Sequence, residues 1–130
     1  MKLYSYFRSS AAYRVRIALN LKGLPYELVS IHLTKDGGHQ RKPEFRAVNP
    51  QMRVPALELS SGEVLTQSLA IIEYLDDIHP EPPLLPAEAL DRAKVRAIAQ
   101  MVACDIHPLN NLIALQYLKR TLKHEQPDID

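Results

Sequence analysis

The chain has 130 residues, 46% of them hydrophobic, and a formal net charge of +1. That is the balance of an ordinary globular protein, and without a basic excess or charge block it gives nucleic acid and membrane surfaces nothing to hold. No run approaches the roughly 18 apolar residues of a membrane span, and the single cysteine, Cys104, excludes an internal disulfide. In chain order, residues 2–6 read as a strand, which the chain enters without an apolar leader. Together with the lone cysteine this predicts a cytoplasmic protein.

Residues 11–22 have the pattern of a helix, with Val15, Ile17, Ala18, Leu19 and Leu21 as its packing surface. Ser9 and Ser10 before it are both N-cap types, and Gly23 after it is a natural stop. One serine suffices for a cap; the second is incidental or has something else to bond. Residues 26–33 read as a second strand containing Leu28, Val29, Ile31 and Leu33. The stretch KDGGHQRKPEFRAVNPQMR is loop with a helical turn at 43–47. Strands at 56–59 and 63–65 flank SSG, which is hairpin chemistry, and 68–78 returns to helical periodicity through Leu69, Ile71, Ile72 and Leu75. The order βαβ then ββα predicts a mixed sheet whose first half is a parallel crossover.

HPEPPLLPAE concentrates four prolines between Pro80 and Pro86, a density neither a helix nor a central strand tolerates. This predicts a domain at 1–80, a linker at 81–86 and a helical region at 87–130. Within 87–122, Leu90, Ala93, Ala97, Ile98, Met101, Val102, Leu109, Leu112, Ile113 and Leu118 recur at helical intervals, and Pro108 must kink or split the run. About 45 residues ending in a polar HEQPDID are too few for a core of their own, so an incomplete helical domain is expected. In the first domain Val54-Pro55 immediately precedes a strand, where proline belongs only at the entrance or an edge. A cis peptide there would present the Val54 backbone to a ligand.

The succession of a serine-led helix, NPQMRVPALEL, LTQSLAIIEYL and a proline-rich linker into helices resembles the glutathione transferase superfamily. Within it, RSSAAYRVRIALNLKGLPYE and CDIHPLNN are similar to the zeta class, most of all to bacterial maleylacetoacetate and maleylpyruvate isomerases. The likeness runs from Lys2 to about Thr121. It implies an α/β thioredoxin-like N-terminal domain followed by an all-α C-terminal domain, here truncated. The sequence departs from the class in having Ala11 where many members place a cysteine.

The resemblance also implies roles. Ser9 would direct its hydroxyl at the sulfur of glutathione, the cofactor, with Ser10 in support and Arg8 holding substrate carboxylates. Gln67 and Ser68, opening a helix, would hold the γ-glutamyl carboxylate, Val54 the cysteinyl part and Gln40 the glycyl end. His107 and Asn111 would add binding contacts. For Arg14 and Arg16, one helical turn further in, a substrate role and a mere surface coat both stay open. The implied reaction is isomerisation of a small cis-unsaturated dicarboxylic acid by a homodimer, with no metal, since Cys104 and His107 lack a second ligand pair. Three alternatives stay open: a transferase of other substrate scope, a binding module without turnover, and thiol activation by Tyr6. A thioredoxin-type redox role is a fourth and poor option, because there is no Cys-x-x-Cys and no cysteine near Ser9.

Overall fold

The computed structural model describes residues 1–125; the end of the polar tail, 126–130, lies outside the described residues. The chain divides into two compact units, Met1–Leu85 and Pro86–Asp130. In the first, strand β1 (Lys2–Ser5) alternates in burial, sending Leu3 and Ser5 inward. It lies between β2 (Glu27–Ser30), parallel to it, and β3 (Ala56–Glu58), antiparallel. Strand β4 (Val64–Thr66) pairs antiparallel with β3, giving the order β2-β1-β3-β4. This is the thioredoxin-like arrangement the sequence implied.

Helices α1 (Ser10–Leu21) and α3 (Ser68–Ile78) cover one face of the sheet. Val15 and Leu19 from α1 and Ile71 and Leu75 from α3 meet Leu3 and Leu57 in a fully buried cluster, so one face of each helix, read at i and i+4, and the inward face of the strands share one core. On the opposite face α2 (Pro43–Val48) sets Phe45 against Tyr4, ring centroids 5.7 Å apart.

Several boundaries need correction. The second strand, expected over 26–33, is only Glu27–Ser30, an edge strand with Leu28 exposed. Beyond it the chain turns away because its backbone is engaged locally, in 3-10 turns at Lys35–Gly37 and His39–Arg41. Ser10, read as a cap type, is instead the first helical residue; Ser9 is the cap. The hairpin is shifted by one residue at its second strand.

Lys22, at the end of α1, has a side chain entirely removed from solvent. Its ammonium meets Asp76 at 2.7 Å and donates to the carbonyls of His79 and Pro82, using all three of its N–H bonds. A buried ion pair stabilises only when its hydrogen bonds are made, and here they are. Burial pushes the Asp76 carboxyl up, but Lys22 and the Leu84 amide more than reverse this, leaving it below the ordinary aspartate value. The pair ties α1, α3 and the proline-rich segment into one unit.

In the second unit, α4 (Ala89–Gln100) is capped by the Glu88 carboxylate and runs into a π-helical turn at Met101–Ile106. Residues 107–111 break the helix, as Pro108 requires, and α5 (Leu112–Arg120) starts from Asn111. No described residue of these helices is buried. Among the described residues no helix is long and apolar enough to cross a membrane.

Candidate functional site

The strand registers decide what comes together. Tyr4 pairs with Ala56 and Ala56 with Thr66, while Ser5 pairs with Ser30. The connection after β1, the loop after β2, the entry to β3 and the exit from β4 therefore leave the sheet at the same end. Those four segments carry Arg8–Ser9–Ser10, Gln40, Val54 and Gln67–Ser68. Ligands of α/β sheets bind outside strand ends of this kind.

Ser9 caps α1: its Oγ accepts the Ala12 N–H at 3.2 Å. A hydroxyl has a second lone pair and its own proton, so capping leaves Ser9 able to donate. Arg8 is exposed. Arg16, whose role the sequence left open, is more than a surface coat: half-buried, it lies over the Tyr13 ring at 4.9 Å and donates to the Phe7 carbonyl at 3.5 Å, while its Nε is buried with no hydrogen-bond partner.

At the entry to β3 the Val54-Pro55 peptide is cis, one of the two isomers open to a proline at that position. Val54 stands just outside the paired registers, so the ladder does not consume its polar groups. The loop delivering it is built on Asn49, which sequence reasoning missed. Fully buried, Asn49 donates through Nδ2 to the Arg53 carbonyl at 2.8 Å and accepts the Gln51 N–H at 3.0 Å. The Asn-Pro dipeptide was its signal, since an asparagine before proline favours a turn.

Gln67 precedes α3 with φ of 67° and makes no side-chain cap bond. A non-glycine residue held there costs about 1–3 kcal/mol and persists where surroundings enforce it, often at ligand sites. The amino end of α3 thus keeps N–H groups that no side chain caps, beside buried Ser68. Gln40 is buried too; its Nε2 donates to the Leu33 carbonyl at 3.1 Å, and its Oε1 has no partner.

The tyrosines separate cleanly. Tyr4 donates to Glu58 at 2.6 Å; that bond, then burial, holds its hydroxyl above the ordinary tyrosine value. Tyr6 is buried with its ring edge-on to Phe7 and His32. His107 and Asn111 lie in the second unit. The His107 N–H bonds the Val102 carbonyl, and Asn111 accepts the Ile113 N–H at 2.9 Å as the cap of α5. Among the described residues no group of three or more His, Cys, Asp or Glu is placed to hold a metal ion. A hollow of about 310 Å³ lined by Tyr4, Val29, Ile31 and Phe45 includes none of the expected site residues.

Residues 3–83 match the family model described as glutathione S-transferase, N-terminal domain. Over 120 residues the chain is 53% identical to the maleylacetoacetate isomerase of Pseudomonas aeruginosa, covering 92% of this chain and 57% of that one. A maleylpyruvate isomerase described as a bacterial glutathione S-transferase of the zeta class superposes with a TM-score of 0.93 at 50% identity, over 99% of this chain and 59% of that one. A maleylacetoacetate isomerase from Methylobacterium extorquens, solved with bound malonate and GSH, gives 0.92 at 49% identity, over 98% and 58%. The chain spans less than two thirds of the length of each.

Proposed function

The chain belongs to the glutathione S-transferase family, in the zeta-class branch of maleylacetoacetate and maleylpyruvate isomerases, and from that premise we propose that the protein is a glutathione-dependent cis–trans isomerase of a small unsaturated dicarboxylic acid. The observation that carries the reading is the convergence of Ser9, Gln40, Val54, Gln67 and Ser68 at one end of the sheet. The relative solved with both malonate and GSH supports the substrate class.

The residues fit glutathione on their own terms. A buried acceptor without a partner, Gln40 Oε1, suits a peptide N–H. The side-chain-uncapped start of α3 suits a carboxylate, which free N–H groups and the helix dipole favour. The Val54 backbone, outside the ladder, suits antiparallel pairing with a peptide. When bound, glutathione supplies a sulfur nucleophile whose reversible addition makes the double bond of the acid rotatable. Ser9 serves this by donating its O–H to the sulfur while its lone pair caps α1, so hydroxyl and helix dipole together favour the thiolate. Arg8 pairs with a substrate carboxylate and steadies the negative charge that develops beside it.

The test compares Ser9→Ala, Ser10→Ala and Tyr6→Phe in glutathione-dependent isomerisation of maleylacetoacetate and maleylpyruvate, with thiolate absorbance titrated alongside. Losing one hydrogen bond to a charged atom costs about 1.5–3 kcal/mol, or roughly ten- to a hundredfold in rate. Ser9→Ala should show that loss and a raised thiol pKa, the other two only a few-fold change. Loss of activity in Tyr6→Phe but not in Ser9→Ala would replace the serine with a tyrosine-type mechanism. Binding of glutathione without turnover of either acid would leave a binding module.

The proposal includes a two-fold homodimer. It rests on the family likeness and on the apolar side chains exposed in the second unit, including Leu90, Ile98 and Leu109. Light scattering should give twice the 14.7 kDa chain mass; a folded monomer would remove the dimer.

A further inference from the structure

The segment between β2 and α2 holds a side chain that the isomerase reading leaves unused. His32 leaves the end of β2 half-buried, its ring 5.0 Å from Tyr6, 6.3 Å from Phe7 and 6.1 Å from His39. Its Nδ1 accepts the backbone N–H of Lys35 at 3.0 Å and, at longer range, that of Thr34 at 3.4 Å. A ring nitrogen that receives N–H bonds carries no proton, so the proton of a neutral His32 ring sits on Nε2. The pattern is that of an Asx turn, made by an imidazole in place of an asparagine oxygen. The His39 N–H returns to the carbonyl of His32 at 2.8 Å, so both ends of the loop are fastened to one residue.

Gln40 follows directly. The Leu33 carbonyl needs a donor, and this sets the carboxamide with Nε2 toward it and Oε1 away. Gly38 makes the position possible, because a Cβ there would come within 2.6 Å of that oxygen. The outcome is an acceptor held buried, unsatisfied and pre-oriented, an arrangement that is costly unless something uses it.

We propose that His32 is a positioning residue. By fastening the 32–39 loop through Nδ1 it presents Gln40 Oε1 to the Cys–Gly amide of glutathione, and so sets the preference for the tripeptide over γ-glutamylcysteine, which lacks that amide. The inference rests on the glutathione reading above. A ring that served only as packing for Tyr6 would be replaceable by another ring. A ring that serves as an acceptor is replaceable by a shorter acceptor with no ring at all.

Calorimetric titration with glutathione and with γ-glutamylcysteine separates these roles. The wild type should prefer glutathione by about tenfold, the worth of one well-made hydrogen bond. His32→Leu should bring the two affinities within about twofold by weakening glutathione alone, and Gln40→Ala should do the same. His32→Asn should restore the preference, while His32→Phe should not. Should His32→Leu fail to fold, the Asn and Phe variants decide the matter. An unchanged ratio in the variants, equal weakening of both ligands, or restoration by Phe but not by Asn would overturn the role of His32 and leave the glutathione reading intact. A wild type that bound neither ligand would overturn both.

Discussion

Residues 1–85 and the helices that follow them carry similar apolar periodicity and come to opposite ends. In the first unit the stripe of α1 loses Val15 and Leu19 completely from solvent, because a sheet and a second helix close over it. In the second unit Leu90, Ile98 and Met101 on and just after α4, and Ile113 and Tyr117 on α5, remain exposed. The pattern of a helix tells which face will pack, not whether anything packs on it. A sheet supplies that cover from residues far apart in the sequence, and the described residues of the second unit contain no strand.

The sharpest way to break this contrast is at Lys22, whose ion pair holds the first unit together as far as Leu84. Removing one partner of a buried pair strands the other, so Lys22→Ala should cost about 3–5 kcal/mol in urea unfolding. Replacing the pair jointly, as Lys22→Met with Asp76→Leu, should recover most of that. Acid should reach the same place: because the Asp76 carboxyl is held below its ordinary value, its contribution is whole above about pH 4 and fades as the pH falls further. Thermal melts between pH 7 and pH 2 should therefore show wild-type stability falling below pH 4, and the double variant falling less.

Leu19→Ala should cost about 2–5 kcal/mol, since its cavity lies among residues that cannot collapse inward. Ser9→Ala should cost about 1 kcal/mol for the lost cap, a stability change separable from its effect on turnover. At the small end, Leu109→Ala should change stability by no more than about 0.5 kcal/mol, because 78% of Leu109 is exposed. A larger effect at Leu109 would mean that its face is covered in the assembled protein, and the contrast between the units would narrow.

How much the sequence disclosed follows from the range of the interactions involved. The helix at 68–78 was legible to both ends because its signals are local: a polar start, a regular apolar period and a proline beyond. The place of Pro55 at a strand entrance was legible, but the cis form of the bond before it was only one of two options until the fold was seen. Strand β2 was over-extended because Ile31 and Leu33 look like strand residues, while what ends the strand is the bonding of the following loop to the side chain of His32. The role of Lys22 left no mark in the sequence, since nothing local announces an aspartate 54 positions later. Near the candidate site, Ser9 was readable as a cap type and Val54 from the proline after it, and Gln67 came only through the family resemblance, whereas Asn49 and His32 act through bonds to loop backbone that only the folded chain reveals.

The enclosure of Lys22 has a practical corollary in amine chemistry. Acylating reagents need an accessible amine with a free lone pair, and the Lys22 nitrogen is out of their reach while its three bonds hold. Lys94, by contrast, sits 63% exposed on α4 and should be labelled at once. Peptide mapping of a brief acylation pulse would therefore read the opening of the first unit at a single atom: modification at Lys22 would record how often α1, α3 and the proline-rich segment come apart under native conditions.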